Sequence, residues 1–194
     1  LVGSEMCIRD SDYGYELDGV IVMGTGHQPA PMVFAGKVLA DVVRLIKGDR
    51  YRSRLISKIM FGAYNKHIKN VRTVNDWLTR DEAVVDEYNA GKLTTFLFTV
   101  NGYRGLMNMI LYVRKPRNIE RIPKNLPMLM ISGLDDPVGE YGKGVYRAYN
   151  SYHGHIDDID LRLYEDCRHE LCNELNKEEI YEEIYGWIMN HMSK

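Results

Sequence analysis

The order of the last four elements constrains this chain more than anything else in it. LPMLMISG (126–133) is an apolar run of strand length, and GEYGKGVYRAYNSY (139–152) reads as a short helix. IDLRLY (159–164) alternates apolar and polar residues, and KEEIYEEIYGWIMNHM (177–192) sets Ile180, Ile184, Trp187 and Ile188 on one helical face. A strand–helix–strand–helix succession requires a parallel sheet with right-handed crossovers and helices against its faces. Asn176 and Glu179 have the spacing of a capping box at the start of the last helix. Far upstream, LDGVIVMGTG (17–26) is a β-branched apolar run ending in glycines, which reads as a further buried strand leading into a loop.

Between these parts, from about residue 30 to 112, the pattern is helical. Tyr51, Leu55 and Ile59 share one i, i+4 line, Ile56, Met60 and Tyr64 an adjacent one, and Arg50, Arg54 and Lys58 a third, which predicts an amphipathic helix with a basic outer face. VNDWLTRDEAVVDEYNAG (74–91) carries a helix start, an acidic first turn and a glycine stop, and RKPRNIERIPKNLP (114–127), with its three prolines, reads as a connection. Ordinary connections between strands run to about 2–6 residues, so an intervening segment of roughly 85–90 residues should be a subdomain of its own. The expected architecture is α/β: core segments at 12–29 and 116–194, and a helical insertion at 30–115. The opening run LVGSEMCIRDS (1–11) has neither alternation nor a helical stripe and resembles a translated adapter remnant. It is set aside as a non-native leader, and the expectation is that an N-terminal part of the protein is missing.

At 194 residues with 45% hydrophobic content, one domain with an insertion can bury a full core. The formal net charge of −2 lacks the basic excess of a dedicated nucleic-acid binder, and no apolar run reaches the ~18–20 residues of a membrane span. Three cysteines (Cys7, Cys167, Cys172) are too few for a disulfide framework and suit a reducing compartment, so the expectation is a soluble cytoplasmic protein.

Two segments can carry chemistry. SGLDDPVG (132–139) directly follows one strand and CRHE (167–170) closely follows another. In a parallel sheet the strand C-termini open on one edge, where ligands bind. Asp136 and His169 are 33 residues apart, about one βαβ unit of ~30 residues, so the topology puts an acid and an imidazole on neighbouring loops of that edge. A carboxylate there would accept from one ring nitrogen and leave the other as a general base. Each motif alone also reads as ordinary turn chemistry or a charged surface loop.

The motifs VMGTGHQP (22–29), DWLTRDEAVVDEY (76–88), LPMLMISGLDDPVG (126–139) and RHELCNE (168–174) resemble capped α/β-hydrolases of the S33 serine aminopeptidase, monoacylglycerol lipase and lysophospholipase branch, from about residue 13 to the end. The resemblance implies the C-terminal part of an α/β-hydrolase parallel sheet with an inserted helical cap. It places the catalytic acid of a G-x-x-D-x-V pattern at Asp136 rather than Asp135, and the base at His169. It implies hydrolysis of small acyl esters or lipids, with peptide cleavage or non-catalytic ligand binding as alternatives. It brings in no cofactor, metal or nucleic acid.

The family's nucleophile stands in G-x-S-x-G, ahead of the acid and the base. None of Ser4, Ser11, Ser53, Ser57, Ser132, Ser151 and Ser193 has glycine two before and two after, and Cys7 fares no better. The expectation is that the nucleophile lies upstream and that this chain is inactive by itself. It also follows that a sheet lacking its upstream strands would expose unpaired backbone groups, an aggregation liability, and that the chain alone should be poorly soluble or oligomeric.

Weaker signals remain. Nine Lys or Arg with only Asp49 as acid occupy 44–72, a solvated face or a surface drawn to anionic membranes. Eleven acids stand against three basic residues in 157–183. Met60, Met107, Met109 and the tyrosines of the insertion are core or an acyl pocket, and His27 is a loop residue near the active edge. His153 and His155 have no third metal ligand nearby.

Overall fold

The computed structural model describes residues 14–192. The leader expected at 1–11, with Cys7, lies outside them. Three parallel strands form the sheet in the order β1 (Val20–Met23), β2 (Met128–Gly133), β3 (Ile159–Tyr164), with Val20 opposite Met128 and Met128 opposite Ile159. Between β1 and β2 run α1 (Ala30–Lys47), α2 (Arg54–Phe61), α3 (Glu82–Ala90), α4 (Val100–Val113) and the single turn α5 (Pro116–Ile119); α6 (Lys143–His153) joins β2 to β3 and α7 (Lys177–Met192) follows β3. Among the described residues β1 has no strand on its other side.

All of β2 is buried, and its period-2 alternation feeds two cores. Met128 and Met130 join Val20, Val22, Ala148, Tyr152 and Ile156 on the α6 face. Leu129 and Ile131 join Leu171, Ile180 and Trp187 under α7 on the opposite face. That two-sided burial explains the unbroken apolar run. A third cluster, made by Val33 and Ala40 of α1, Ile56 of α2 and Val100, Tyr103 and Met107 of α4, packs apart from the sheet. Met107 is therefore core.

The ends of the helices show where local chemistry overrode periodicity. The Ser53 hydroxyl accepts from Ile56 N–H at 3.2 Å, so the helix whose lines run from Arg50 and Tyr51 in the sequence begins at Arg54. Only Ile56 of its apolar lines is fully buried, and Leu55 and Ile59 face out beside the basic residues. The helix expected over 74–91 spans only Glu82–Ala90. Asp76 instead folds its carboxylate back onto Arg72 N–H, Thr73 N–H and the Thr73 hydroxyl, and Asp81 caps α3 through Ala83 N–H. α6 starts at Lys143 instead of 139, after three left-handed residues in succession, Glu140, Tyr141 and Gly142. The connection at 114–127 contains the turn α5. Asn176, read as half of a capping box, turns its Oδ1 to Arg80 Nη2 at 2.6 Å.

Candidate functional site

All three strands end on one edge, and the loops leaving them converge. The loop after β1 begins at Gly24, with φ +62°, whose N–H donates to Ile131 O at 2.9 Å. A Cβ there would come within 3.0 Å of the His169 ring, so glycine serves both the backbone conformation and the space for the imidazole. The loop after β2 is bonded to the loop after β3 by Asp135 N–H to Cys167 O at 2.9 Å.

Asp136 is fully buried and its oxygens are divided between two tasks. Oδ1 accepts from Val138 N–H at 2.8 Å; Oδ2 accepts from the Ser132 hydroxyl at 3.4 Å and faces His169 Nδ1 at 3.0 Å. Asp135, its neighbour, is exposed and makes no such contact. With Asp136 ionised, His169 carries its proton on Nδ1, donated to the carboxylate, and Nε2 keeps a lone pair. The side chain of His169 retains 27% of its accessibility, enough for that nitrogen to be reached. The pair can thus take a proton from an acidic group and stabilise the imidazolium that results.

Aromatic rings roof the imidazole. Trp77 lies 5.2 Å from the His169 ring, Tyr64 packs edge-on to Trp77 at 4.9 Å, and Phe61 packs on Tyr64 at 5.5 Å, a ladder from the end of α2 to the site. Burial, with the Asp136 carboxylate nearby, pushes the Tyr64 phenol up to about 12, so it stays a neutral wall. The sequence places Tyr64 on a helical line and among the tyrosines of a core or acyl pocket, and Trp77 within the motif 76–88, but the approach of Trp77 to His169 is visible only in the fold.

The other sequence candidates lie elsewhere. His27 accepts on Nε2 from Arg114 at 2.5 Å, and burial together with Arg114 and Arg147 lowers its pKa, holding it neutral. His155 bonds Ile122 O at 2.7 Å and His153 packs on the Tyr149 ring at 5.1 Å. Among the described residues no group of three or more His, Cys, Asp or Glu is placed to hold a metal ion, and no helix is long and apolar enough to cross a membrane. A hollow of about 340 Å³ beside the site is lined by His67, Asp135, Tyr141, Asp166 and Arg168. Ile68 and Lys69 complete the lining, so charged side chains predominate beside an apolar part.

The family model described as serine aminopeptidase, S33, matches residues 4–176. No curated protein matches the chain. Solved structures superpose closely. A carboxyl esterase from Bacillus coagulans in complex with glycerol is 22% identical with a TM-score of 0.79, over 98% of this chain and 61% of that one. A lipase in an open form is 19% identical with a TM-score of 0.84, over 99% and 63%. A soluble variant of monoglyceride lipase from Saccharomyces cerevisiae, in complex with a substrate analog, is 17% identical with a TM-score of 0.70, over 98% and 59%. The chain thus spans about three fifths of the length of these proteins.

Proposed function

The chain belongs to the serine aminopeptidase S33 family and has the α/β-hydrolase fold of esterases and lipases, and from that premise we propose that it supplies the acid and the base of a serine hydrolase acting on carboxylic esters. The observation that carries the reading is the 3.0 Å contact between His169 Nδ1 and the buried Asp136 carboxylate at the open edge of the sheet. In the reaction, His169 Nε2 takes the proton of a serine hydroxyl as its oxygen bonds the acyl carbon. It then returns that proton to the departing alcohol, and water attacks the acyl-enzyme by the same route in reverse. Asp136 holds the tautomer. The proposed nucleophile is a G-x-S-x-G serine ahead of β1 in chain order, and the helices at 30–115 are proposed as the cap over the site. Monoacylglycerol or lysophospholipid is the proposed substrate class, consistent with the ester and glyceride hydrolases among the structural neighbours. The family's description as an aminopeptidase favours a second reading, peptide cleavage with the same machinery.

The test uses the reading frame extended upstream to a G-x-S-x-G serine, assayed on monooleoylglycerol, lysophosphatidylcholine and an aminoacyl p-nitroanilide. The glyceride should be the fastest, and His169→Ala should lower kcat by about 10⁴–10⁶-fold. Unchanged hydrolysis in His169→Ala would overturn the reading, and a preference for the anilide would select the peptidase.

Approach to a lipid surface is part of the same proposal. Phe34, Val38, Val42 and Ile46 form an exposed i, i+4 line on α1 with Leu45 beside it, and Leu55 and Ile59 on α2 are exposed next to Arg54 and Lys58. Apolar residues edged by basic ones suit an anionic bilayer. The 194-residue chain should sediment with phosphatidylserine vesicles, and Leu45→Glu with Ile46→Glu should weaken that binding about tenfold or more. Equal sedimentation of parent and variant would exclude this face.

A further inference from the structure

His169 stands in a loop stitched to the segment between α2 and α3. Glu174, five residues on, is fully buried. Its Oε1 accepts from Arg168 N–H at 2.8 Å, and its Oε2 accepts from Arg80 Nε at 2.8 Å. Arg80 extends the bridge, donating from Nη2 to Asn176 Oδ1 at 2.6 Å. Around this pair, Arg168 Nη1 donates to Asp76 O at 2.6 Å and Thr79 O at 2.9 Å, Glu170 N–H donates to Leu78 O at 2.7 Å, and the Thr79 hydroxyl donates to Asn173 O at 2.7 Å. Both neighbours of His169 are therefore anchored to residues 76–80, the stretch that also brings Trp77 against the imidazole.

We propose that Glu174 and Arg80 are positioning residues that hold the His169 imidazole against Asp136, so that the base is set by the helical insertion as well as by the sheet. This rests on the reading of His169 as the general base. A lone carboxylate at the Glu174 position would be costly to bury; here it joins two chain segments 94 positions apart, and its oxygens are used on the backbone next to His169 as well as on the guanidinium. Without that tie, Arg168 N–H and Arg80 Nε lose their acceptor, and the loop is held only by its remaining bonds, Arg168 Nη1 to Asp76 O and Thr79 O, Glu170 N–H to Leu78 O, Thr79 Oγ1 to Asn173 O and Asp135 N–H to Cys167 O. The ring can then slide relative to a carboxylate that Val138 N–H keeps in place. Misplacement of about 1 Å in a proton-transfer partner costs about 10²-fold in rate.

The experiment reads the tautomer of His169 from its imidazole nitrogen shifts in the 194-residue chain labelled with ¹⁵N-histidine, which requires no hydrolysis. The parent should hold the Nδ1–H form. In Glu174→Gln, whose amide presents a donor to Arg80 Nε or Arg168 N–H, that form should fall by about twofold in favour of Nε2–H. Arg80→Lys keeps the charge but not the fork, should fold, and should show the same change if Glu174→Gln does not fold. Ile56→Ala, in the cluster of α1, α2 and α4, should lower the melting temperature and leave the tautomer alone, which separates positioning from stability. In the upstream-extended enzyme both clamp variants should lose about 10²-fold in kcat with little change in KM. An unchanged Nδ1–H form in folded Arg80→Lys overturns the clamp. Unchanged hydrolysis in His169→Ala overturns the general-base reading instead, so the two failures are distinguishable.

Discussion

Gly133→Ala is expected to lower the midpoint of thermal unfolding by about 8–16 °C, the consequence of roughly 4 kcal/mol in a chain of this size. Gly133 ends β2 where the loop after β3 crosses over it, and a Cβ would lie 2.0 Å from Cys167 O and 2.3 Å from Arg168 O. Both obstacles are backbone, so no rotamer change relieves them. Either the end of β2 or the 165–170 loop has to move. That motion breaks Leu134 N–H to Tyr164 O and Asp135 N–H to Cys167 O, both 2.9 Å, and draws Asp136 away from His169. Gly105→Ala is the matched control: it is exposed within α4 with nothing within 4 Å of its Cβ, and should raise stability by about 1 kcal/mol. Calorimetry of the two variants checks the result. A Gly133→Ala midpoint equal to that of the parent would mean that the strand end and the loop are not in contact.

The elements beside this crossing were the most legible in the sequence. β3 has the bounds 159–164 and α7 the bounds 177–192 that the alternation and the helical face imply. Asp136 and His169 were legible because chain position after a parallel strand determines the edge on which a residue emerges, and the structure brings the two together. Segment 74–80 was misread as helix because Asp76 prefers the backbone N–H groups of residues 72 and 73 to a helical turn, a competition that periodicity does not register. The amphipathic lines of α2 predict a basic outer face, yet α2 packs mainly through Ile56, and Leu55 and Ile59 are exposed beside the basic residues. Glu174 was hidden among the eleven acids of 157–183, and its partner Arg80 stands in another charged stretch. A long-range ion pair leaves no local trace, so the brace behind the base emerged only from the fold.

Taken alone, the 194-residue chain is expected to leave p-nitrophenyl butyrate at its background rate, about 10⁶-fold below a chain that carries the elbow serine, and to escape labelling by a fluorophosphonate. Three of the described serines are committed elsewhere. Ser53 caps α2, and the Ser151 hydroxyl donates to Ala148 O at 2.6 Å. Ser132 is the nearest in chemistry, but it is fully buried and donates to Asp136 Oδ2 at 3.4 Å, the carboxylate atom that faces His169 Nδ1. Its hydroxyl is thus on the acid's side of the imidazole, whereas a nucleophile must meet Nε2 on the other side. Among the described residues neither thiol substitutes: burial raises the pKa of both Cys167 and Cys172, which favours the protonated thiol. Hydrolysis above background that disappears in His169→Ala would require a nucleophile within this chain and would remove the case for an upstream serine. Loss of the same activity in Ser132→Ala would identify that residue and force the opposite tautomer on His169.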